Sequence, residues 1–420
     1  MSHGAENRNF FTLNQAIETA VTVNLDLKQA DEQTNAAAAV VNQRKTAFLP
    51  VLGTAYQYRH KDNFSNDPIT GTSLSEDEYS FSASITQPIF KGFAILNQYR
   101  MAGLDFDAAK FEKERVRQDL VLEVKNAYYT ILKNQKLEAV AKEAVNQLAA
   151  HLEVAQNFYK VGMIPLNDLL KAKVELANAK QDLIEADYRL LISRSGLNRI
   201  LRHPINSNIN IQDVVHFSAL NKDLSFCISI AEDQRIEIKV AELLIKKAGK
   251  AVQLAKKDYY PSIDLKAGYY RSGDNWDVNG GLGAADPDRW DITATASWNI
   301  WEWGRTRYNI KEQSHYLSSA EFEKEDMIEK IRLEVKSSYL TARESEKNIV
   351  TVKEAVVQAK ENFRISEERY KEQMATSTDV LDAQTLLSTT MTNYYNALYD
   401  FQLSKASLAR AMGLNETGDI

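Results

Sequence analysis

Asp379 and Asp382 stand three residues apart in the run STDVLDA. On a helix that spacing puts both carboxylates on one face. Many other Asp/Glu pairs occur in this chain, on helices rich in both charges, where they read as solvated faces. Taken alone, Asp379 reads as a charge favoured at a helix N-terminus and Asp382 as part of a solvated face. The other chemistry-bearing types form no constellation. Six histidines are scattered without metal-ligand spacing, and no nucleophile elbow, phosphate loop or zinc motif occurs. The glycine run Gly280–Ala285, GGLGAA, does not join a strand to a helix of a βαβ unit, so it reads as an external loop rather than a nucleotide cradle. No catalysis is predicted, and no metal or cofactor.

Composition narrows the class further. With 51 Lys and Arg against 57 Asp and Glu, the net charge is −6, which does not favour nucleic acid as a partner. Sixteen glycines and seven prolines in 420 residues fit long uninterrupted helices. No window approaches the roughly 18 apolar residues of a membrane-spanning helix, but a transmembrane β-barrel leaves no such peak. The single cysteine, Cys227, allows no intramolecular disulfide. The opening MSHGAENRNF lacks the charged-then-apolar form of a secretory signal.

The elements that position the aspartates come in two copies. Phe158–Ala172, FYKVGMIPLNDLLKA, echoes Arg369–Ala383, RYKEQMATSTDVLDA. Tyr159 falls on Tyr370, Met163 on Met374 and Asp168 on Asp379 at a constant step of 211 positions. The step carries Leu13 to Leu224, Pro50 to Pro261, Glu123-Val124-Lys125 to Glu334-Val335-Lys336 and Arg199 to Arg410, and it pairs Cys227 with Ala16, a small buried site. A fixed step marks a duplicated unit. The copies are 12–201 and 223–412, joined by a linker over 202–222 and followed by a tail, 413–420.

Each copy opens with a predicted helix, Leu13–Phe48 or Leu224–Tyr259, in which Ala16, Ala20, Val23, Leu27 and Ala30 keep helical spacing. Pro50 and Pro261 end these helices. Two alternating runs follow, about 50–60 and 79–90 in the first copy and about 261–272 and 289–301 in the second. Tyr79, Phe81, Ala83 and Ile85 alternate with serines and threonine, as do Trp290, Ile292, Ala294, Ala296 and Trp298 with polar residues. Period two with one apolar face is a strand signal. Each run has about the 9–11 residues of a tilted transmembrane strand, with Tyr79, Phe81, Trp290 and Trp298 suited to a membrane-interface belt. A soluble sheet with one face on a core is the alternative. The remainder of each copy is a long helical hairpin. Val116, Leu120, Val124, Ala127 and Ile131 recur at coiled-coil spacing. The chain turns at 161–166 or 372–377 and returns over Asn167–Leu201 or Thr378–Met412, with Asn167 and Thr378 in N-cap position.

Strand pairs bracketed by long coiled-coil helices, all duplicated, resemble the TolC-type outer-membrane efflux protein family over nearly the whole chain. LP at 49–50 and YP at 260–261 open the strands, QPIF at 87–90 and WNIW at 298–301 close them, Gly92 and Gly304 follow, and YKVGMIPLNDLL and STDVLDA form the tips. The resemblance implies a mainly α fold with a small β part. Four strands per chain would enter a trimeric 12-stranded β-barrel in the outer membrane of a Gram-negative bacterium, above a periplasmic α-helical tunnel. The partners it implies are two further copies of the chain, outer-membrane lipid, a periplasmic adaptor (membrane fusion) protein, and an inner-membrane efflux pump or ABC transporter. A signal peptide, absent here, would be removed or replaced.

The resemblance also implies roles. Asp379 and Asp382 would form carboxylate rings that set ion preference at the periplasmic entrance. Tyr370 and Asp168 would belong to the network holding that entrance shut. The family pattern completes the network with an arginine where this chain has Ala375. Val161, Gly162, Met163, Pro165 and Leu166, with Met374, Ala375 and Thr376, would be the adaptor-docking tips. Small-molecule efflux and type I protein secretion share this architecture; the reading from another class is a coiled-coil scaffold without a channel.

Overall fold

A computed structural model describes residues 11–61, 76–213, 217–281 and 286–414. The N-terminal MSHGAENRNF and parts of the loop 61–78, of GGLGAA, of the linker and of the tail lie outside them. The elements run α1 (Leu13–Val23), α2 (Leu25–Thr46), β1 (Val51–His60), β2 (Asp77–Lys91), α3 (Ala94–Lys160), α4 (Leu166–Ile200), α5 (Leu224–Gln234), α6 (Ile236–Ala255), β3 (Ser262–Gly273), β4 (Asp288–Ser297), α7 (Arg305–Lys371) and α8 (Ser377–Ala411). A short 3₁₀ turn, Lys256–Tyr259, precedes β3. Both α3 and α7 have 67 residues, about 100 Å at 1.5 Å per residue. No helix among the described residues is long and apolar enough to cross a membrane.

The chain divides into two compact units. The first comprises Met1–Asp31, Glu112–Ile238 and Asp326–Ile420. Its core is one arrangement built twice. Ala16, Ala20, Leu27, Leu120, Val124 and Leu197 cluster in the first copy. Their counterparts Cys227, Ala231, Ile238, Ile331, Val335 and Leu408 cluster in the second. Alanine and cysteine against leucine and valine let the short helices α1 and α5 sit close on the long ones, where each buried aliphatic side chain contributes about 1.5–3 kcal/mol. Cys227 is fully buried, as its alignment with Ala16 predicts, and burial pushes its thiol up.

The opening helix of each copy departs from expectation, because it is broken. Asn24 and Arg235, which are 211 positions apart, both adopt extended backbone, so Leu13–Phe48 and Leu224–Tyr259 are not single helices. Neither break uses Pro or Gly. Asn24 makes the break by accepting a hydrogen bond from the Leu27 amide on its side-chain oxygen (3.0 Å), which caps the next helix. Arg235 makes it by burying its guanidinium. It donates to the Ala411 carbonyl (3.0 Å) and pairs with Glu237 (2.8 Å) and Glu334 (2.9 Å). Arg410 completes the cluster with Glu237 (3.1 Å) and Asp119 (2.6 Å).

The second unit comprises Glu32–Phe111 and Lys239–Glu325. Its strands form one antiparallel sheet in the order β1-β2-β3-β4. Val51 pairs with Thr86, Ile85 with Ala267 and Ala267 with Ile292. The β2–β3 register shifts between Pro88 and Phe90, where proline has no amide to give the ladder. β4 stops at Ser297, short of 301, because its partner β3 begins at Ser262, just after Pro261. Trp298 therefore lies beyond the strand. Both sheet ends turn into helices through two consecutive left-handed residues, Gly92-Phe93 (φ 58° and 65°) and Trp303-Gly304 (φ 52° and 83°). A Cβ at Gly92 would come within 2.2 Å of the Lys257 carbonyl oxygen, so glycine is required there.

The arginine cluster of the first unit makes a testable case. Burial pushes the Glu237 carboxyl up, but its own backbone amide, Arg235 and Arg410 outweigh burial and hold it below the usual range. That stability is present above the ordinary carboxylate pKa and is lost as pH falls through the lowered value. Glu237→Gln leaves Arg235 short of a buried partner and should cost about 3 kcal/mol. Thermal unfolding at pH 7 should show the loss, and the gap to wild type should narrow towards pH 3. An unchanged midpoint at pH 7 would refute the assignment.

Candidate functional site

The site is built from the two turns that join α3 to α4 and α7 to α8. α3 ends in a backbone pattern that turns the chain in five residues. The Met163 amide donates to the Phe158 carbonyl (2.8 Å) and Gly162 to Tyr159 (3.0 Å), with Gly162 left-handed at φ 79°. This is the capping geometry that glycine favours after a helix. The second turn repeats it bond for bond. Met374 donates to Arg369 (2.7 Å) and Gln373 to Tyr370 (3.0 Å). Here the left-handed residue is Gln373, at φ 61°, which costs a non-glycine residue about 1–2 kcal/mol. Gln373 Nε2 reaches Met163 Sδ at 3.1 Å and ties one tip to the other.

The return helices start earlier than Asn167 and Thr378 suggest. Their N-caps are Pro165 and Thr376. Thr376 and Asp379 form a reciprocal box: the Thr376 hydroxyl accepts from the Asp379 amide (3.2 Å), and the Asp379 carboxylate accepts from the Thr376 amide (2.8 Å). First the amide, then the Thr376 hydroxyl, holds the Asp379 carboxyl below the usual carboxylate range. Asp379 thus has a structural duty that the sequence pattern underweights. Pro165 has no hydroxyl, and α4 starts without a side-chain cap. Asp382 is exposed one turn further along α8.

Tyr370 and Asp168 occupy unlike environments. Asp168 is half-buried in the first turn of α4. Tyr370 is 3% exposed, packed between His151 (ring centroids 4.8 Å) and Phe158 (5.5 Å). Burial pushes its phenol up, and the Asp168 charge adds to the shift. The hydroxyl lies beside Ser377 but has no partner of good hydrogen-bond geometry among the described residues. The counterpart of Tyr370, Tyr159, is 40% exposed. Sequence reasoning missed His151 and Ser377, which are both buried and joined Nε2 to Oγ at 2.9 Å. The signal was there, since His151 falls in the apolar stripe of Leu148, Leu152 and Ala155.

At the tips, Val161, Met163, Leu166 and Met374 expose half or more of their surface. Gly162, Pro165 and Thr376 are exposed too, and Ala375 is half-buried. In the sheet, Trp290 and Trp298 are exposed, whereas Phe81 is half-buried and Tyr79 packs on Tyr58 (4.9 Å). Trp276, Trp301 and Trp303 join the exposed aromatics, although the alternating pattern does not select them.

A four-stranded antiparallel sheet flanked by duplicated hairpins of 67- and 35-residue helices defines a class of outer-membrane channel protein. Comparison with known proteins agrees. The outer membrane efflux protein family matches residues 16–201 and again 227–414, one match per copy, and the chain belongs to that family. It is 22% identical to outer membrane protein TolC of Escherichia coli over 417 residues, 96% of this chain and 83% of TolC. It is 23% identical to the toluene efflux pump outer membrane protein TtgC of Pseudomonas putida over 431 residues, 97% of this chain and 84% of TtgC. The fold is also that of the Campylobacter jejuni CmeC outer membrane channel, with TM-score 0.83 and 18% identity over 96% of this chain and 85% of CmeC. The protein is accordingly an outer-membrane efflux protein, in a family of channels rather than enzymes.

The cap provides a check on the tip geometry. Thr376→Ala removes the hydroxyl from the box and should cost about 1 kcal/mol. Hydrogen exchange in the first turn of α8 should quicken about fivefold, while the first turn of α4, which starts at Pro165 without such a cap, stays as it was. Equal exchange in α8 before and after the change would contradict the cap.

Proposed function

We propose that this protein is the exit duct of a tripartite efflux system, a passive homotrimeric channel working with an inner-membrane pump and a periplasmic adaptor. The sheet carries the reading. β1 and β4 are its end strands, and neither has an outer neighbour among the described residues. Open edges are not tolerated in lipid, where each unpaired backbone group costs several kcal/mol. Four strands cannot close around a lumen, but three copies supply twelve, with β4 of one against β1 of the next. Both faces of β1 are exposed, and Trp290 and Ile292 of β4 stand out by 73% and 65%, which suits a wall with lipid on one side and water on the other.

The tips supply the periplasmic end of the duct. Val161, Met163, Leu166 and Met374 give an adaptor an apolar patch to seat on. Asp379 and Asp382, repeated around a threefold axis, make two carboxylate rings at the mouth, and Tyr370 with Asp168 lies behind them. Energy comes from the pump, so the duct needs no catalytic residue. The toluene efflux pump relative favours small-molecule efflux over protein export.

Two measurements test this. The detergent-solubilised protein should have about three times the 47.5 kDa chain mass by light scattering with detergent subtracted, and it should conduct ions in a planar bilayer. A monodisperse monomer or dimer without detergent and without conductance would replace the duct by a coiled-coil scaffold. In the conducting protein, replacing Asp379 and Asp382 together by Ala should reduce cation preference several-fold; unchanged selectivity would remove them from the ion path.

A further inference from the structure

His151 is an ionisable side chain buried in the tip region, 5% exposed, that touches two other helices at once. From α3 its Nε2 bonds to Ser377 Oγ on α8 (2.9 Å), and its ring lies against Tyr370 on α7 with centroids 4.8 Å apart. Tyr370 in turn rests on Phe158 of α3. One imidazole therefore bridges the seam between the first hairpin and the second, about two and a half turns before the end of α3 and at the very ends of α7 and α8. We propose that His151 is an acid-sensitive joint: protonating its ring loosens this seam and lets the two tips separate. The joint stands on the packing alone, and its effect on transport rests on the duct reading above.

The groups facing the ring set the direction of its response. On α7 the one charge in play is Glu367, which favours the imidazolium. On α4, Asp168 acts on Tyr370 and stands behind it. On α8, Ser377 is the first helical residue, so the ring meets the positive end of that helix. The nearby Asp379 carboxylate is engaged by Thr376. On α3 itself, the neighbours three and four positions away are Gln147, Leu148, Val154 and Ala155, none of them charged. Burial outweighs Glu367 and pulls the imidazole below its ordinary value, so the ring is neutral at pH 7. A charged ring would carry two N–H donors, whereas Ser377 can accept only one of them.

The sign follows by linkage. In the opened seam the imidazole takes its proton near its ordinary pKa, about 6.5. In the packed seam it does so only at lower pH. Packing is therefore fully favoured above about pH 6.5 and loses ground as pH falls from there to the lowered value. The Asp379 carboxyl, held below the usual carboxylate range by Thr376, stays ionised through this window.

The test is hydrogen exchange followed by mass spectrometry on the full-length oligomer from pH 7.5 to 5, corrected for intrinsic rates. Wild-type peptides covering 155–166 and 370–381 should lose protection by up to about tenfold per pH unit between the ordinary histidine value and the lowered one. In His151→Asn and His151→Gln, whose amides keep a neutral partner for Ser377, the same peptides should show a flat profile. A flat wild-type profile overturns the joint, and so does an equal acid loss in both variants. Bilayer conductance is the second readout, and it should rise on acidification in wild type only. Conductance missing at every pH would count against the duct, while the exchange result would still decide the joint.

Discussion

A helix of 67 residues carries an apolar stripe about 100 Å long, and no such helix is stable in water unless something covers the stripe. In the first unit the long helices are covered by the return helices α4 and α8 and by the short helices α1 and α5. Close approach comes from small residues at the contacts: Ala16 and Ala20 in the first copy, Cys227 and Ala231 in the second, all 0–1% exposed. Substituting a larger side chain there would overpack both helices at once. The breaks at Asn24 and Arg235 serve the same constraint. A straight 36-residue helix would keep one direction throughout, whereas a break allows α1 and α5 to follow the core in a direction of their own.

The duplication fixes backbone geometry more strictly than environment. Both tips use the same two turn bonds, yet the left-handed residue is Gly162 in one and Gln373 in the other. Both strand-to-helix turns use a left-handed pair, yet glycine comes first in Gly92-Phe93 and second in Trp303-Gly304. Side chains diverge further. Tyr159 and Tyr188 are exposed, while their counterparts Tyr370 and Tyr399 are buried to 3% and 0%. Burial pushes the Tyr399 phenol well up. At these two positions the second hairpin turns its tyrosines into the protein and the first turns its own outward. Equivalent sequence positions thus acquire different chemistry from what each helix face meets.

These differences explain what the sequence made legible. The long helices, the four strands and the repeat step were readable because each rests on a local period or on an exact echo: Val116 to Ile131 for the coiled coil, Trp290 to Trp298 for β4, Tyr159 and Tyr370 for the step. The helix breaks were not, because an asparagine cap and a buried arginine depend on Leu27, Glu237 and Glu334 being in place. The end of β4 was not, because Ser297 is the last residue with a partner on β3. At the tip, the spacing of Asp379 and Asp382 was visible, but the capping duty of Asp379 depends on a hydroxyl three residues earlier. His151 looked like one scattered histidine until Ser377 and Tyr370, more than 200 positions away, were seen to meet it.

In the duct reading, the tip would separate two electrostatic functions by protonation range. The amide and hydroxyl of Thr376 hold the Asp379 carboxyl low, so it keeps its charge to lower pH than an ordinary carboxylate does. A carboxylate ring built on it would therefore keep its field through mild acid. His151 is the opposite case: burial keeps it neutral at pH 7, and mild acid is enough to challenge that state. In the duct reading, the Asp379 charge at the mouth outlasts mild acid, and whether the mouth loosens is set by His151. The two groups lie on different sides of the same first turn of α8, Asp379 facing outward from its cap and His151 bonded to Ser377 from within. Opening the seam would leave the Thr376–Asp379 box intact, since both of its members belong to one helix end.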